Sequence, residues 1–465
     1  MRIRQSHCGN NPTPVLGKDK DMNHISRHRM TWRSKAAVVA AAALVAGCAS
    51  STGTSAVHGA SSTPMSNSTA AAPAAAQGLA AVAHGVEAPI GAIPWSKVGP
   101  GWMLAVWNAV TPTHPGALPA AAPGGPDPDT TSSTLYLVDP AGNRYPITTF
   151  APPSGFEGPR LVDWSGDGSH ALLSRDVPGQ QQLVITQVDL HTGAQTTLPN
   201  GGRYTRPDGK SLLESTNNNG DVPGTLKRVD LAGNPQLTFP TDQLGGEFGG
   251  EYVQSPDGTQ LVLGTVKPGN VPGNPAYKSP AGLVLVRNDG TVVRRLASPM
   301  PDASCSPGRW WSATEILANC SAADNAGSQL WEVPLDGGAP TALTALNTGQ
   351  EDDPGFGGDI GDRIAWQLPS GTFLQSAGAC GTMFVSRLTP DMHTTRVDVP
   401  GVDSSSVVVA GATADKLVLL AKVGCGGTTS LLTYDPSANT STVLLGPPIN
   451  GGGVTEALLY GGRAS

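Results

Sequence analysis

The sequence is poor in charge and in aromatic side chains. Charged residues make up 14% of the 465 residues, and Phe, Tyr and Trp together make up 5%, whereas average soluble domains contain roughly 25% charged residues. A hydrophobic core must therefore be built mainly from Val, Leu, Ile and Ala. Glycine (59) and proline (41) are abundant instead, and this density of turn-forming residues predicts many tight turns and few helices.

Motifs of common catalytic and cofactor sites are missing. The sequence has no G-x-S-x-G nucleophile elbow, no H-E-x-x-H zinc motif and no glycine-rich phosphate loop. The histidines of the expected folded part, His114, His170, His191 and His393, fall in different loops or far apart, and we expect them in exposed turns or strands. We therefore expect no cofactor. The Asp-Gly pairs are not assigned to a metal, because Asp caps tight turns and Gly supplies the positive φ that they need.

The net charge of −7 conceals an asymmetric distribution. Residues 1–35 hold eight basic and two acidic residues, which leaves 21 basic and 34 acidic residues in 36–465, a net charge of −13. Such a surface repels phosphate backbones and anionic headgroups. Nucleic-acid binding is therefore disfavoured.

A short apolar run, Ala36 to Gly47, follows Arg33 and Lys35 and ends at Cys48. A basic region, an apolar core and small residues at a cleavage site are typical of a secretory signal. As a helix this run spans ~18 Å, too little for a hydrocarbon core of ~30 Å. The end of the run resembles a bacterial lipobox, which implies that Cys48 accepts the lipid and anchors the mature chain at the outer face of the plasma membrane. The alternative is ordinary secretion, with a cysteine there by chance.

Three segments are predicted along the chain. Residues 1–47 form the signal sequence, with Met30 as an alternative start. Residues 48–93 are rich in Ala, Ser and Thr; they cannot bury enough apolar surface to offset the entropy lost on ordering, which predicts a disordered tether. Residues 94–465 form the folded domain.

A repeated strand pattern fills that domain. Apolar and β-branched stretches on either side of Ser255-Pro256-Asp257-Gly258 predict a hairpin, and a second hairpin turns at 288–290. Seven such modules follow one another, at spacings of roughly 40 to 60 residues, which are typical of propeller blades. Their first turns are expected at 99–100, 167–168, 208–209, 257–258, 312–313, 361–362 and 414–415. Their third strands are expected at 134–139, 183–189, 225–230, 282–288, 329–334, 382–388 and 430–435.

The repeat predicts the fold class. A four-stranded sheet buries neither face alone, whereas radial stacking of sheets buries both. We therefore predict an all-β fold, a β-propeller of seven four-stranded blades, with six or eight as the alternatives. The last segment, Gly451 to Gly462, either pairs with the first blade as a clasp or begins an eighth blade, and we prefer the clasp.

Three turn motifs resemble the W-S-P-D-G blade signature of the TolB-like β-propeller family. They begin at Trp164 (WSGDG), Ser255 (SPDG) and, more weakly, Arg206 (RPDG). The resemblance spans the predicted domain, although modules one, five, six and seven depart from the signature. It implies a bacterial lipoprotein, of an actinobacterial type, with a role in the assembly or integrity of the cell envelope.

Four cysteines in the predicted domain suggest two disulfides. With a turn at 312–313, Cys305 lies opposite Cys320, and paired strand residues are ~4.5–5.5 Å apart, within disulfide range. Cys380 and Cys425 each precede the third strand of neighbouring modules, so we expect a bond between blades. A four-cysteine metal site is the alternative, but the sequence has no C-x-x-C spacing.

Binding is expected on the face that carries the long connections between second and third strands and between blades. The examples are 111–131, 217–224, 267–280 and 370–381. An acidic cluster in the connection at 350–356 is either a site for a cationic ligand or metal, or a solvated loop. Trp366, on an apolar strand, is predicted to lie in the core. The candidate binding residues are Asp302, Glu351, Asp352, Asp353, Tyr277 and Lys278.

The leading hypothesis is a monomeric, lipid-anchored and non-enzymatic module that binds a neutral or basic envelope protein, peptide or glycan. The alternative is a propeller enzyme, a lyase or glycan-active hydrolase, with its site at the axial mouth. Two carboxylates ~5–9 Å apart in that mouth would favour a glycosidase. A mouth lined by Val, Ala, Thr and Gly would favour binding.

The lipidation hypothesis predicts that Cys48→Ala abolishes labelling of the chain by palmitate fed to the cells. Cys8→Ala is the matched control, because it removes a cysteine that no signal pattern precedes, and it should label like the wild type. Equal labelling of the Cys48→Ala variant and the wild type would contradict the lipid anchor.

Overall fold

β-strands account for nearly all regular secondary structure of the protein. The computed structural model describes residues 80–110, 131–152, 158–175, 184–217, 222–266, 282–300, 303–322, 327–348, 361–378, 382–423 and 429–461. Over these ranges the chain forms strands β1 to β29 and two short 3-10 helices, with no α-helix. The prediction of an all-β fold is confirmed.

Most strands belong to seven four-stranded units, here numbered in chain order. Unit 1 consists of β2 (Met103–Asn108), β3 (Ser133–Val138) and β4 (Arg144–Phe150), joined by the C-terminal strand β29 (Gly453–Leu459). Unit 2 consists of β5 (Arg160–Trp164), β6 (His170–Arg175), β7 (Val184–Asp189) and β8 (Gln195–Leu198). Unit 3 consists of β9 (Arg203–Tyr204), β10 (Ser211–Thr216), β11 (Thr225–Asp230) and β12 (Pro235–Thr238).

The other four units continue the pattern. Unit 4 has β13 (Glu247–Gln254), β14 (Gln260–Val266), β15 (Gly282–Arg287) and β16 (Val292–Arg295), and unit 5 has β17 (Ser304–Trp310), β18 (Glu315–Ser321), β19 (Ser328–Pro334) and β20 (Thr341–Ala342). Unit 6 has β21 (Gly361–Leu368), β22 (Gly371–Ala377), β23 (Met383–Leu388) and β24 (Thr394–Arg396), and unit 7 has β25 (Val402–Ala412), β26 (Leu417–Val423), β27 (Thr429–Asp435) and β28 (Thr440–Leu445). One parallel bridge, Met383 to Ser406, joins units 6 and 7 into a single sheet.

The hydrophobic core lies between neighbouring units rather than within them. Leu213 of unit 3, for example, packs in one cluster with Phe248 and Leu261 of unit 4. Each unit contacts the next along the chain, and β25 of unit 7 contacts β29 of unit 1. Met103 of unit 1 and Val418 of unit 7 share a cluster in the same way. The last unit along the chain is therefore in contact with the first.

The C-terminal strand joins the two ends of the fold. β29 pairs antiparallel with β2, from Met103 opposite Leu459 to Asn108 opposite Gly453. It thereby supplies the first strand of unit 1. This is the pairing that the clasp prediction required.

Residues 80–98, here called the N-terminal strap, cross the outer edges of units 7 and 1. β1 (Ala81–Val82) runs parallel to β28, and Ala88 N–H donates to Arg144 C=O on β4 at 3.1 Å. The strap then forms the 3-10 helices Ile90–Ala92 and Trp95–Lys97, and Ile93 between them is buried against unit 1. Residues 80–93, which we assigned to the tether, therefore belong to the folded part.

A carboxylate of the strap is held by unit 1. Glu87 lies 3.6 Å from the Arg144 guanidinium and accepts a hydrogen bond of 3.5 Å from the Tyr136 hydroxyl. Burial and the Glu87 charge raise the pKa of Tyr136 to about 12. The Tyr136 hydroxyl therefore stays protonated and remains a donor to Glu87 over the physiological pH range.

The predicted repeat is confirmed in most of its elements. All seven third strands lie within one residue of their predicted limits, and the turns at 167–168, 208–209, 257–258, 312–313 and 414–415 connect first and second strands. Two turns were wrong. Residues 361–362 lie in the bulged beginning of β21, because the turn of unit 6 is made by Pro369-Ser370. Residues 99–100 precede β2, because the first strand of unit 1 comes from the C-terminus.

One predicted connection was also wrong. Much of 370–381 is strand β22, which pairs with both β21 and β23. Gly371, Ser376 and Ala377 suggested a loop by composition, but the pairing on both sides supports a central strand. Trp366 on β21 is buried in the core, as predicted.

The hairpin disulfide is present. Cys305 and Cys320 face each other across β17 and β18, with their Cα atoms 4.1 Å apart, and their sulfurs are bonded. The strands contain a bulge between Pro307 and Arg309. Between the bulge and the turn, each residue of β17 is opposite a residue one position away from the one that counting from the turn predicts. Beyond the bulge the count is correct, and it gives the pair Cys305–Cys320. Cys380 and Cys425 lie outside the described residues, and their bond stays a prediction.

The first turns of neighbouring units are in direct contact. In unit 4, Asp257 accepts hydrogen bonds from Ser255 Oγ (2.6 Å) and Thr259 N–H (3.1 Å), and these bonds lower its pKa. Since the depressed pKa favours the charged folded form, this turn contributes stability above the ordinary pKa of Asp and loses it as the pH falls. Gly258 in the same turn has a φ of +71°, and a Cβ there would collide with the backbone of Arg206 in unit 3.

A buried ion pair links units 2 and 3. Asp163 on β5 lies 2.6 Å from the Arg206 guanidinium, with side chains 1% and 12% exposed. Asp163 also accepts hydrogen bonds from the backbone N–H groups of Trp164 and Tyr204, both at 2.9 Å. Burial raises the pKa of the Asp163 carboxyl, and the Arg206 charge opposes that rise.

Arg206→Ala should cost ~3–5 kcal/mol of unfolding free energy, because it leaves a buried carboxylate without its counter-charge. Without Arg206 the pKa of Asp163 rises further above its unfolded value, so the folded variant holds a proton that the unfolded chain releases. The deficit should therefore grow as the pH rises above the ordinary pKa of an Asp carboxyl.

Urea unfolding at several pH values measures this effect. Lys210→Ala is the matched control, since the Lys210–Asp208 pair of the same turn is exposed, at 3.9 Å, and should change the stability by no more than about 0.5 kcal/mol. Equal losses for the two variants would show that the buried pair is not an important link.

Candidate functional site

All six residues proposed for binding from sequence lie outside the described part of the chain. These are Asp302, Glu351, Asp352, Asp353, Tyr277 and Lys278, together with the lipidation candidate Cys48 and the histidine His114. The acidic cluster and its proposed ligand therefore stay predictions. Among the described residues, no helix is long and apolar enough to cross a membrane.

Of the four described histidines, His84 is exposed in the strap and the other three occupy local contacts. His170 Nδ1 lies 2.6 Å from Ser169 Oγ at the beginning of β6, and the His191 ring stacks on Trp95 of the strap at 3.8 Å. His393 lies 3.3 Å from the Asp391 carboxylate in an exposed turn. The three belong to a strand end and two turns, as the sequence predicted, and these contacts account for their positions.

A cavity of about 530 Å³, here called the inner-strand cavity, is lined by the first strands of units 2 to 5 and by the second strands β10 and β18. It lies where β9 begins and β10 ends. In an antiparallel meander this end of the strands is where the second-to-third and inter-unit connections leave. The cavity therefore lies at the strand ends from which the long connections leave, the side on which we expected binding from the sequence. The lining residues are Val162, Gly201, Gly202, Arg203, Leu213, Ser215, Asn217, Gly250, Glu251, Tyr252, Ser306, Pro307, Gly308 and Asn319.

A bulge in β13 shapes this cavity. Phe248 is opposite Thr265 and Tyr252 is opposite Leu263, so residues 249–251 face a single residue of β14. Gly250 within the bulge has a φ of +104°, and its C=O accepts a hydrogen bond of 2.5 Å from Ser215 Oγ of unit 3. The bulge turns Glu251 outward, where its side chain is exposed at the cavity wall.

The ionisable groups of the lining come from adjacent units. Arg203 of unit 3 and Glu251 of unit 4 supply one charge of each sign. Tyr252 is anchored by its hydroxyl, which donates to Leu213 C=O at 3.0 Å, and burial raises the pKa of this phenol. Tyr252 is therefore a neutral side chain with a fixed orientation, and the charge of the lining is carried by Arg203 and Glu251.

Inference from sequence missed both this cavity and the Asp163–Arg206 pair. The signal for the cavity was the paired glycines that precede or interrupt the first strands, Gly201-Gly202 and Gly249-Gly250. For the ion pair it was Asp163, a lone acid in the apolar strand Leu161 to Trp164. Neither pattern specifies the partner unit, so each became interpretable only from the packing.

Comparison with known proteins gives structural likenesses only. No family model and no curated protein matches the chain. A puromycin-hydrolyzing peptidase from Mycobacterium tuberculosis is similar in structure at 14% identity, with a TM-score of 0.42, over 70% of this chain and 52% of that one. The β-propeller domain of the Trilobed protease from Pyrococcus furiosus is similar at 13% identity and a TM-score of 0.42, over 68% and 88% of the chains.

A TolB candidate from Agrobacterium tumefaciens is similar at 11% identity and a TM-score of 0.34, over 74% and 89% of the chains. The chain spans about half the length of several peptidases that it matches. At these low identities and TM-scores, the likenesses establish neither a family nor an activity for this chain.

Gly250→Ala should destabilise the fold, because the new Cβ combines backbone strain with a collision against Asn217. Strain of this kind costs roughly 1–3 kcal/mol, and the collision adds to it. Gly451→Ala is the matched control: its φ is +65°, and its Cβ would meet nothing within 4 Å. Thermal unfolding should show a larger loss for Gly250→Ala, and equal losses would mean that Asn217 gives way freely.

Proposed function

We propose that this chain is an exported, lipid-anchored protein whose folded part is a seven-bladed β-propeller. Each four-stranded unit is one blade. The contact of unit 7 with unit 1, and the supply of the first strand of unit 1 by β29, support closure of the ring. The signal pattern before Cys48 supports the anchor and a position in the cell envelope.

We further propose that the propeller acts as a non-enzymatic binding module for an envelope protein, peptide or glycan. The observation that carries this proposal is the inner-strand cavity. Its volume of about 530 Å³ lies within the roughly 300–1,000 Å³ typical of ligand sites. It is built on strands of four successive units, so a ligand there would be held by a rigid wall.

The chemistry of the lining suits a polar ligand. Ser215 and Asn217 of unit 3 and Ser306 and Asn319 of unit 5 all line the cavity, so both units contribute hydrogen-bond donors and acceptors to its wall. Glu251 adds an acceptor with full charge. Glycines complete much of the wall and allow a ligand to approach the backbone closely.

The enzymatic alternative has weaker support. Glycoside hydrolysis by the common mechanisms uses two carboxyl groups that flank the scissile bond. Glu251 is the one carboxylate among the described residues that line the inner-strand cavity. The lining thus supports binding in preference to hydrolysis.

The negative charge of the chain indicates what charge its partner carries. A net charge of −13 over 36–465 favours a neutral or basic partner. With a basic partner, the attraction between opposite charges would mainly raise the association rate. We propose a monomer that contacts the membrane through its lipid and does not bind nucleic acid. Asp302, Glu351, Asp352, Asp353, Tyr277 and Lys278 remain candidates for contacts with the partner outside the cavity.

Glu251→Gln should raise the dissociation constant of the ligand about tenfold, because a hydrogen bond to a charged group contributes roughly 1.5–3 kcal/mol to binding. The ligand is first selected by presenting the full-length protein to arrays of envelope-type glycans and peptides. Affinity is then measured by calorimetry. Glu214→Gln is the matched control, because it makes the same charge change on β10 at a residue that does not line the cavity.

The outcomes separate the possible sites. If Glu251→Gln binds like Glu214→Gln, the inner-strand cavity is not the ligand site. If instead the combined replacement of Glu351, Asp352 and Asp353 by Ala weakens binding and reduces its salt dependence, the acidic cluster is the contact. Hydrolysis of an array glycan by the wild type would favour the enzymatic alternative.

A further inference from the structure

A second cavity, of about 230 Å³, lies between units 3 and 4 and is polar. It opens near the first turns of these units, at the strand ends opposite the long connections. Its walls include Arg206, Asp208 and Arg228 of unit 3, with Gln254 and Asn288 of unit 4. Gln236 on β12 completes the polar part of the wall. Here it is called the inter-unit cavity.

One positive charge in this cavity lacks a counter-charge. Arg206 is paired with Asp163, and Asp208 lies 3.9 Å from Lys210. Arg228 is half-buried; its Nη1 donates to Asn288 C=O at 3.1 Å. Among the described residues, no carboxylate lies within ion-pair distance of Arg228, and its buried Nε has no hydrogen-bond acceptor. Removing a guanidinium from water without an anion is costly.

The neighbouring amides present donors rather than acceptors. The Gln254 side-chain oxygen accepts a hydrogen bond from Arg206 N–H at 3.1 Å, and the Gln236 oxygen accepts one from Ser211 Oγ at 2.8 Å. Since both amide oxygens are engaged, the NH₂ groups of Gln236 and Gln254 are left to donate. The cavity therefore combines an unpaired guanidinium with two amide donors.

We propose that the inter-unit cavity binds an oxyanion, a carboxylate or phosphate group, with Arg228 as its principal ligand. The guanidinium presents donors in a planar fork that matches two oxygens of such a group. The volume admits one oxyanion and a few waters, given that a water occupies about 30 Å³ in the liquid. The site is separate from the inner-strand cavity and does not depend on the function proposed for it.

The net negative charge of the chain makes such a site selective. Exposed surface with an excess of carboxylates repels anions at long range. Within the inter-unit cavity the partly desolvated Arg228 charge is screened less than an exposed charge. An oxyanion is therefore expected to bind at this position and not on the surface in general.

The next cavity along the chain supplies a matched control. Arg294 on β16 likewise donates from Nη1 to the backbone carbonyl of Asp336 in the following unit. Its cavity, between units 4 and 5, is also lined by Glu315 and Asp336. Two carboxylates line the cavity of Arg294, whereas the one carboxylate among the described residues that line the inter-unit cavity, Asp208, is paired with Lys210. Arg294→Gln therefore removes a comparable backbone contact without removing the proposed anion ligand.

The test is anion-dependent thermal stability of the full-length protein. Phosphate and acetate are titrated against chloride at constant pH and ionic strength, for wild type, Arg228→Gln and Arg294→Gln. A ligand that binds only the folded state raises the Tm in a saturable way. We expect this saturable shift in the wild type and in Arg294→Gln, and its loss in Arg228→Gln. The general stabilising effect of phosphate on proteins is common to all three and cancels.

Two results would overturn the proposal. One is a shift in Arg228→Gln equal to that of the wild type, and the other is an equal shift with chloride. Arg228→Lys is the second variant, for use if Arg228→Gln does not fold. It keeps the positive charge but lacks the planar guanidinium, so it should raise the apparent dissociation constant of the oxyanion severalfold. An unchanged constant for Arg228→Lys would equally contradict the proposal. A peptide with a free C-terminal carboxylate, compared with its amide, shows whether the oxyanion comes from a partner chain or is free phosphate.

Discussion

Each four-stranded unit has apolar residues on both faces, and a neighbour on each side is needed to cover them. The hydrophobic clusters accordingly lie between units, and the last cluster joins Val418 of unit 7 to Met103 of unit 1. A linear stack would leave two apolar faces in water. Here the outer faces of units 7 and 1 cover each other. Because β29 completes unit 1, the two ends of the chain also share one sheet. The stability of each unit therefore depends on the units that pack on either side of it.

Polar contacts determine how neighbouring units fit together. The apolar clusters tolerate small displacements, whereas the Asp163–Arg206 pair and the contact of Gly258 with the Arg206 backbone require specific positions. Arg206 thus contacts unit 2 through its side chain and unit 4 through its backbone. The inter-unit cavity lies beside this junction and has Arg206 and Gly258 in its wall.

The sequence predicted the elements well because they are local. Third strands could be located to within a residue, since each is a short apolar run followed by a turn rich in Gly, Pro or Asp. The Cys305–Cys320 bond followed from the same local count. The sequence predicted that the C-terminal strand pairs with unit 1, but it did not predict that residues 99–100 precede β2 instead of forming a hairpin turn. It also missed the central position of β22 between β21 and β23, which depends on the neighbouring strands. The inner-strand cavity arises from four units at once, and no window of sequence contains it.

The N-terminal strap has a mechanical consequence. Residues preceding Ala80 continue directly into β1, so tension transmitted from that side reaches the outer edges of units 7 and 1 before any other part of the fold. The strap is held there by the short β1 pairing, by backbone hydrogen bonds of Val86 and Ala88 with Arg144, by the contacts of Glu87 and by the burial of Ile93, whereas β29 is paired along its length with β2. A pull from that side would therefore load the strap first, and the strap should detach while β29 keeps its pairing with β2.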